Sequence, residues 1–325
     1  MDKQYLFRLF AGIVACAAFA VFDSPAQSYP LKPVHMLVGF TAGGSTDVTA
    51  RMVAQKLSET LGRSVVVENR PGASGSIAIE RVVASAADGY TLLVMSAGSA
   101  IQPALRVKLP YDLGRDLAPV SLLVVGPYLL VVHPSVPARN VKELIALARS
   151  QRGKLNYGSS GSGSSAHLAA ALFNLMAKIN IVHVPYKGAA EFVIANAAGD
   201  IDMSFSSISA ALPLMGAGKL RPLAVSVAKR VSLMPTIPTV AESGLPGYDR
   251  SSWIGVLAPA GVPKDIIARL NAAIGKVVNT PEMTESLFKQ GLEPQTNTPE
   301  QFAALLRNEL AQNVKLIELA GVKAE

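Results

Sequence analysis

Val34-His35-Met36-Leu37-Val38-Gly39-Phe40-Thr41-Ala42-Gly43-Gly44-Ser45-Thr46-Asp47 passes from an apolar, strand-like run, through a glycine turn, into a helix-period run over residues 46–61. A second passage has the same grammar. Tyr157-Gly158-Ser159-Ser160-Gly161-Ser162-Gly163-Ser164-Ser165 follows a strand-like run and opens a helix-like one. Glycine lets backbone approach a ligand closely, and the first turn of a helix leaves N–H donors unpaired. Such a place favours anions. Two of them, with no acid–base or metal constellation nearby, predict that an anion is gripped rather than transformed.

The same alternation extends outward along the chain. Strand-like runs lie at 34–40, 64–68, 91–95, 117–124, 129–133, 155–158, 181–185, 201–206, 223–227 and 253–258. Helix-period runs lie at 46–61, 75–84, 141–149, 165–177, 189–197, 209–217, 264–279 and 299–320. This βαβα order predicts an α/β fold, a mostly parallel, doubly wound sheet with helices on both faces. Proline and glycine cluster at 125–127 and 235–247, where the chain is expected to cross between two lobes. Residues 27–124 plus 227–325 would form one lobe and residues 125–226 the other, with the ligand cleft between them.

Composition narrows the function. Half of the 325 residues are hydrophobic, enough for a buried core. Residues 9–22 form an apolar run after Lys3 and Arg8 and before Ser24-Pro25-Ala26, which predicts a secretory signal over residues 1–26. That run is short of the ~20 residues a membrane span needs. The single cysteine, Cys16, falls inside it, so the mature chain is expected to have no disulfide or thiol chemistry. Ile13-Val14-Ala15-Cys16 also reads as a lipoprotein cleavage site, although the apolar run after Cys16 is unusual for one. The first 26 residues hold two acidic and two basic side chains, so the mature chain keeps the formal charge of +7. That charge can steer anions or simply aid solubility. Basic residues are dispersed and not interleaved with aromatics, so no nucleic-acid partner is expected.

In the first turn, Ser45 or Thr46 is expected to cap the helix, and Asp47 to organise backbone N–H groups from behind. The second turn offers five serine hydroxyls and three glycines from Gly158 to Ser165. His167 could contact a ligand there or pack against a neighbouring strand. Tyr186-Lys187-Gly188-Ala189 opens another helix after a strand and adds a hydroxyl, a positive charge and free N–H groups. Ser96 and Ser206 stand at the ends of two more strand-like runs. Ligands of open α/β sheets bind at the carboxyl ends of strands. Gly161-x-Gly163-x-x-Ala166 fits a permissive dinucleotide fingerprint, but the acidic residue expected about 20 positions on is missing, with Lys178 and Asn180 in that neighbourhood. There is no phosphate-loop Gly-Lys-Ser/Thr and no Gly-x-Ser-x-Gly nucleophile elbow. His35, His133, His167 and His183 do not pair at ligand spacing, so no metal or other cofactor is expected, and Asp200 and Asp202 read as a structural turn.

Ordered motifs across the mature chain resemble one family. They are Tyr29-Pro30-x-Lys32-Pro33-Val34, Gly39-Phe40-x-Ala42-Gly43-Gly44-x-x-Asp47-x-x-Ala50-Arg51, Val67-Glu68-Asn69-Arg70-Pro71-Gly72-Ala73-x-Gly75 and Asp88-Gly89-Tyr90-Thr91-Leu92. Gly161-x-Gly163-x-x-x-His167-Leu168, Val184-Pro185-Tyr186-Lys187-Gly188 and Pro238-Thr239-Val240-Ala241-Glu242-Ser243-Gly244 follow. The chain is similar to the Bug-type periplasmic solute-binding proteins of tripartite tricarboxylate transporters. The resemblance implies a two-lobed, type II-like periplasmic binding protein, a monomer and not an enzyme, that closes on a carboxylate-bearing metabolite and delivers it to membrane permease subunits. It maps carboxylate binding onto Thr41 to Thr46 and Ser159 to Ser164, with Tyr186 to Ala190 contributing from the second lobe. Two departures are Ser45, where many relatives carry proline, and Glu191, where proline or alanine is common. The rival readings are a secreted hydrolase or transferase acting on a carboxylated substrate, which would need a base such as His167, and a subunit that presents its ligand to a sensor receptor.

Overall fold

A computed structural model describes residues 29–105, 108–186 and 188–321. The expected signal, with Cys16, lies outside the described residues. The first strand–turn–helix passage becomes β1 (Val34–Val38) and α1 (Ser45–Leu61). Then come β2 (Val65–Asn69), α2 (Ser76–Val83), β3 (Thr91–Ser96) and the one-turn α3 (Gln102–Leu105). The middle of the chain forms β4 (Leu117–Val132), α4 (Val141–Ser150), β5 (Asn156–Ser159), α5 (Ser165–Ala177), β6 (Val182–Pro185), α6 (Ala189–Ala198), β7 (Met203–Ser207), α7 (Ile208–Gly216) and β8 (Arg221–Val225). The last part supplies β9 (Ser251–Pro259), α8 (Lys264–Val278), α9 (Pro281–Lys289), β10 (Glu293–Pro294) and α10 (Pro299–Ala320).

The strands form a mixed α/β sheet in the order β2-β1-β3-β9-β4-β7-β5-β6, with β8 and β10 also on β4. Two parallel triplets, β2-β1-β3 and β6-β5-β7, carry the expected βαβ pattern. Between them β9 and β4 run antiparallel to their neighbours, which the expectation of a mostly parallel sheet did not include. The sixteen-residue β4 also replaces two expected strands. Its first part pairs with β9, and its last part, from Tyr128, pairs with β7 and β8. Val125-Gly126-Pro127 is therefore the passage of one strand from one set of partners to the other.

Each triplet has helices on both faces because its strands are apolar on both faces. Met36, Val38, Val94 and Val256 point to α1 and α8, where Val53, Leu57, Leu270 and Ile274 meet them. The alternate residues Leu37, Leu93 and Leu257 face α2 and α10, with Trp253 and Phe302 in edge contact at 5.5 Å. In the other half, Leu130 and Val132 face α4 and α5, while Leu129 and Val131 face α6 and α7. A small fifth cluster joins the halves: Ile101 before α3, Leu168 and Ala171 of α5, and Leu316 and Ile317 of α10. No helix among the described residues is long and apolar enough to cross a membrane.

Candidate ligand-binding cleft

A cleft of about 590 Å³ lies where the two strand sets meet. Its walls come from the start of α1, the turn after β3, the β4 passage Gly126-Pro127-Tyr128, and the starts of α5, α6 and α7. No described Asp, Glu, Lys, Arg or His side chain lines it. The polar surface is instead hydroxyl, amide and backbone N–H. Phe40, Val48, Ile101, Leu105, Phe192 and Leu292 add apolar walls.

The first turn reaches the cleft with Phe40, Gly43 and Ser45. Neither Ser45 nor Thr46 caps α1, contrary to the sequence reading. Gly44 holds the N-cap position in extended conformation, without a side-chain cap. The first N–H groups of α1 thus have no side-chain competitor for an incoming anion. Gly43 takes a left-handed φ of 83°, and its N–H donates to Asp47 Oδ2 at 2.8 Å. Asp47 is buried behind the turn. It also accepts from Asn69 Nδ2 (2.8 Å) and Arg51 Nε (3.1 Å). Burial pushes its pKa upward, but hydrogen bonds from Arg51, Gly43 N–H and Asn69 outweigh that and hold the carboxyl below its usual range. Asn69 Nδ2 also donates to the Phe40 carbonyl (3.1 Å), so β2 and α1 jointly fix the turn.

The second turn lines the cleft with Ser160, Ser162, Gly163, Ser164 and Ser165. Ser164 caps α5, accepting from His167 N–H at 3.3 Å. His167 is not among the lining residues. Its ring stacks on His183 of β6 at a centroid distance of 3.8 Å, and its Nδ1 accepts from Gly163 N–H at 3.0 Å. Burial, then the neighbouring His183, lower its pKa to about 4. His167 therefore packs against the neighbouring strand β6. Ser159 is buried too: its hydroxyl donates to the Gly161 carbonyl (3.0 Å) and contacts His183 Nε2 (2.7 Å).

The third turn brings Ala189 to the cleft, at the start of α6, which Gly188 caps without a side chain. Tyr186 is half-buried beside it, and Glu191 is exposed in the first turn of α6; neither is among the lining residues. Lys187 lies outside the described residues. Ser96 ends β3 just outside the lining, whereas Gly98 and Gln102 of the following turn enter it. Ser206 is a correction: it is buried, 2.8 Å from Ser204 Oγ, because strand alternation turns it inward and Ser207 outward. Thr41, Ala42, Gly44, Thr46 and Gly161 support the turns without lining the cavity.

Sequence reasoning missed Ser74, Tyr128, Ser207, Ser209, Ser252 and Gln290, all of which line the cleft. Burial raises the Tyr128 pKa against hydrogen bonds to Ser165 and Ser252, which tie the β4 passage to both sides of the cavity. The signal for Tyr128 was its place directly after Gly126-Pro127; for Gln290 there was none. Asp202 has a structural role: it accepts from Asn156 N–H at 2.8 Å. Among the described residues no three His, Cys, Asp or Glu side chains converge as a metal site.

Comparison with known proteins supplies a lineage. A profile described as the tripartite tricarboxylate transporter family receptor matches residues 49–322. The structure is similar to R. palustris Rpa4515 with adipate: TM-score 0.75, 37% identity, covering 91% of this chain and 99% of that one. It is also similar to MatC from Rhodopseudomonas palustris with bound malate (TM-score 0.71, 31% identity, 89% and 100% coverage). The periplasmic binding protein BugD gives a TM-score of 0.72 at 31% identity, with 91% and 100% coverage. Family-wide sequence agreement over nearly the whole chain, on the same fold, leaves one conclusion: the protein belongs to the receptors of the tripartite tricarboxylate transporter family.

Proposed function

We propose that the protein captures a small carboxylate in the cleft between its strand sets and hands it to membrane permease subunits of a tripartite tricarboxylate transporter. The reading has the protein exported by the signal over residues 1–26 and working in the periplasm as a monomer. Residues 27–124 plus 227–325 act as one lobe and residues 125–226 as the other, closing over the ligand by a hinge motion at the β4 passage. The carrying observation is the cleft itself: helix starts from both strand sets converge on it, and no described acidic side chain lines it. An anion there meets oriented N–H dipoles and hydroxyls and no described carboxylate.

The energetics are adequate. Micromolar affinity corresponds to about 8 kcal/mol. Charge-assisted hydrogen bonds of roughly 1.5–3 kcal/mol each, offset by ordering and desolvation, reach it with a handful of contacts. Adipate and malate, held by two relatives, are the first ligands to try. The test is a thermal-shift screen over carboxylic acids with calorimetry on the hits. A rise in melting temperature without consumption of the acid supports capture; turnover, or no shift with any acid, rejects it.

A further inference from the structure

Both turns of the cleft use one local device. Gly43 and Gly163 are left-handed, at φ 83° and 73°. Each donates its N–H to the side chain four positions later, Asp47 Oδ2 at 2.8 Å and His167 Nδ1 at 3.0 Å. In both cases the acceptor is the third residue of its helix. The bond takes the glycine N–H out of competition and fixes how the following N–H groups face the cleft.

The acceptors differ in charge, and their surroundings explain the choice. Asp47 is paired with Arg51 at 3.0 Å. Behind the second turn no described arginine plays that part. The titratable side chains that share the cavity behind His167 are Tyr157 on β5, His183 on β6 and Lys178. Lys178 caps the far end of α5, eleven residues on, roughly 16 Å along the helix axis. The other helix walling this cavity, α10, contributes only Leu316 and Leu319 to it.

The hydrogen bonds also assign the tautomers. Ser159 Oγ has one proton and gives it to the Gly161 carbonyl, so it accepts from His183 Nε2–H. His167 Nδ1 accepts from a backbone N–H, so its proton is on Nε2. The two rings stack at 12°, and burial lowers the pKa of both. We propose that His167 is a positioning residue of the second turn: its neutral imidazole holds Gly163 N–H, doing without charge what the arginine-paired Asp47 does in the first turn. A carboxylate at 167 would be a buried negative charge without a cation, beside the captured anion. Only the link to the captured anion rests on the proposed function. Burial and the adjacent ring keep the acceptor unprotonated down to about pH 4.

Imidazole ¹⁵N spectra and amide exchange of the ligand-free protein decide the positioning role. The expected tautomer is Nε2–H. His167→Asn keeps a neutral acceptor at the same reach, so Gly163 protection should stay within about threefold; His167→Leu should lose about tenfold or more. Below about pH 4 the parent should lose Gly163 protection while His167→Asn does not. His167→Asp should melt lower than His167→Asn. With adipate as probe, His167→Asn should bind within about threefold of the parent and His167→Leu at least about tenfold more weakly, since one lost hydrogen bond is being read. An Nδ1–H tautomer, or equal Gly163 protection in parent and His167→Leu, overturns the positioning role. His167→Asp melting no lower than His167→Asn overturns the argument from charge. Failure of adipate to bind the parent counts against the proposed function, and the ligand-free measurements still decide His167.

Discussion

At the scale of single residues, the site is built from glycines that accept unusual backbone and from side chains that hold them. Gly43 shows both. A Cβ there would meet nothing within 4 Å, yet φ is 83°, a conformation that costs an ordinary residue roughly 1–2 kcal/mol. Gly43→Val should therefore fold with a modestly lower melting temperature and lose the carboxylate-induced shift, because its side chain enters the cleft. A folded variant that still shifts fully would move the ligand away from the first turn. His167 links the site to stability. Its pKa is about 4 in the fold and ordinarily 6.5, so the unfolded chain binds more protons between those values. Stability must then rise with pH across that window. Acidification from pH 6.5 to 4 should remove about 3 kcal/mol through this group. Urea titrations at the two pH values check it, with His167→Asn as the control that removes this share.

Among elements, the βα units were legible because apolar runs and helix-period runs alternate cleanly, and Ser165–Ala177 was read to the residue. What failed was the middle. Gly126 and Pro127 read as a break, since proline removes a ladder donor. In the structure both stay in β4, paired with Ser252 and Ser251, where the strand changes partners. The strand run at 253–258 was legible as β9, but its antiparallel direction was not, because that depends on pairing with β3 and β4, which are distant in sequence. The cleft inherited this limit. The turns that glycine and serine announce line this cleft, while Ser252 and Gln290 carry no local signal, since only the tertiary fold brings them there. Gly255 illustrates such a tertiary demand: a Cβ on it would overlap the Phe302 ring, which lies edge-on to Trp253. Gly255→Ala should cost about 1–3 kcal/mol by overpacking the β9–α10 contact. Trp253 is the single tryptophan, so an altered emission spectrum in the folded variant would locate the damage, and an unchanged stability would contradict the close packing.

For the whole molecule, the question is how two strand sets are tied and still able to move. The end of β8 and the start of β9 meet the interior of β4 at the crossing. Ser226 N–H donates to the Tyr128 carbonyl and Ser226 Oγ accepts from Tyr128 N–H, the same hydroxyl donates to the Arg250 carbonyl, and Arg250 N–H donates to the Ser226 carbonyl at 2.7 Å. The buried Arg250 side chain then leaves the strands for α10, meeting Glu309 at 3.0 Å and Asn313 at 2.7 Å. Asn313 in turn donates to the Ala100 carbonyl at 3.1 Å, in the turn whose next residues, Ile101 and Gln102, line the cleft. Burial raises the Glu309 pKa, and Arg250 acts against that rise. Arg250→Met should destabilise by about 3–5 kcal/mol, because it strands a buried carboxylate. Adding Glu309→Leu removes that carboxylate, so the double variant should recover most of the loss. Recovery of stability does not restore the Arg250–Asn313 bond, so the Ala100 turn stays less firmly held. The double variant should then melt near the parent yet bind its carboxylate more weakly, although neither substituted residue lines the cleft. Calorimetry beside thermal melts separates the two effects. Parent-like affinity in the double variant would mean that α10 ties the halves together without shaping the site.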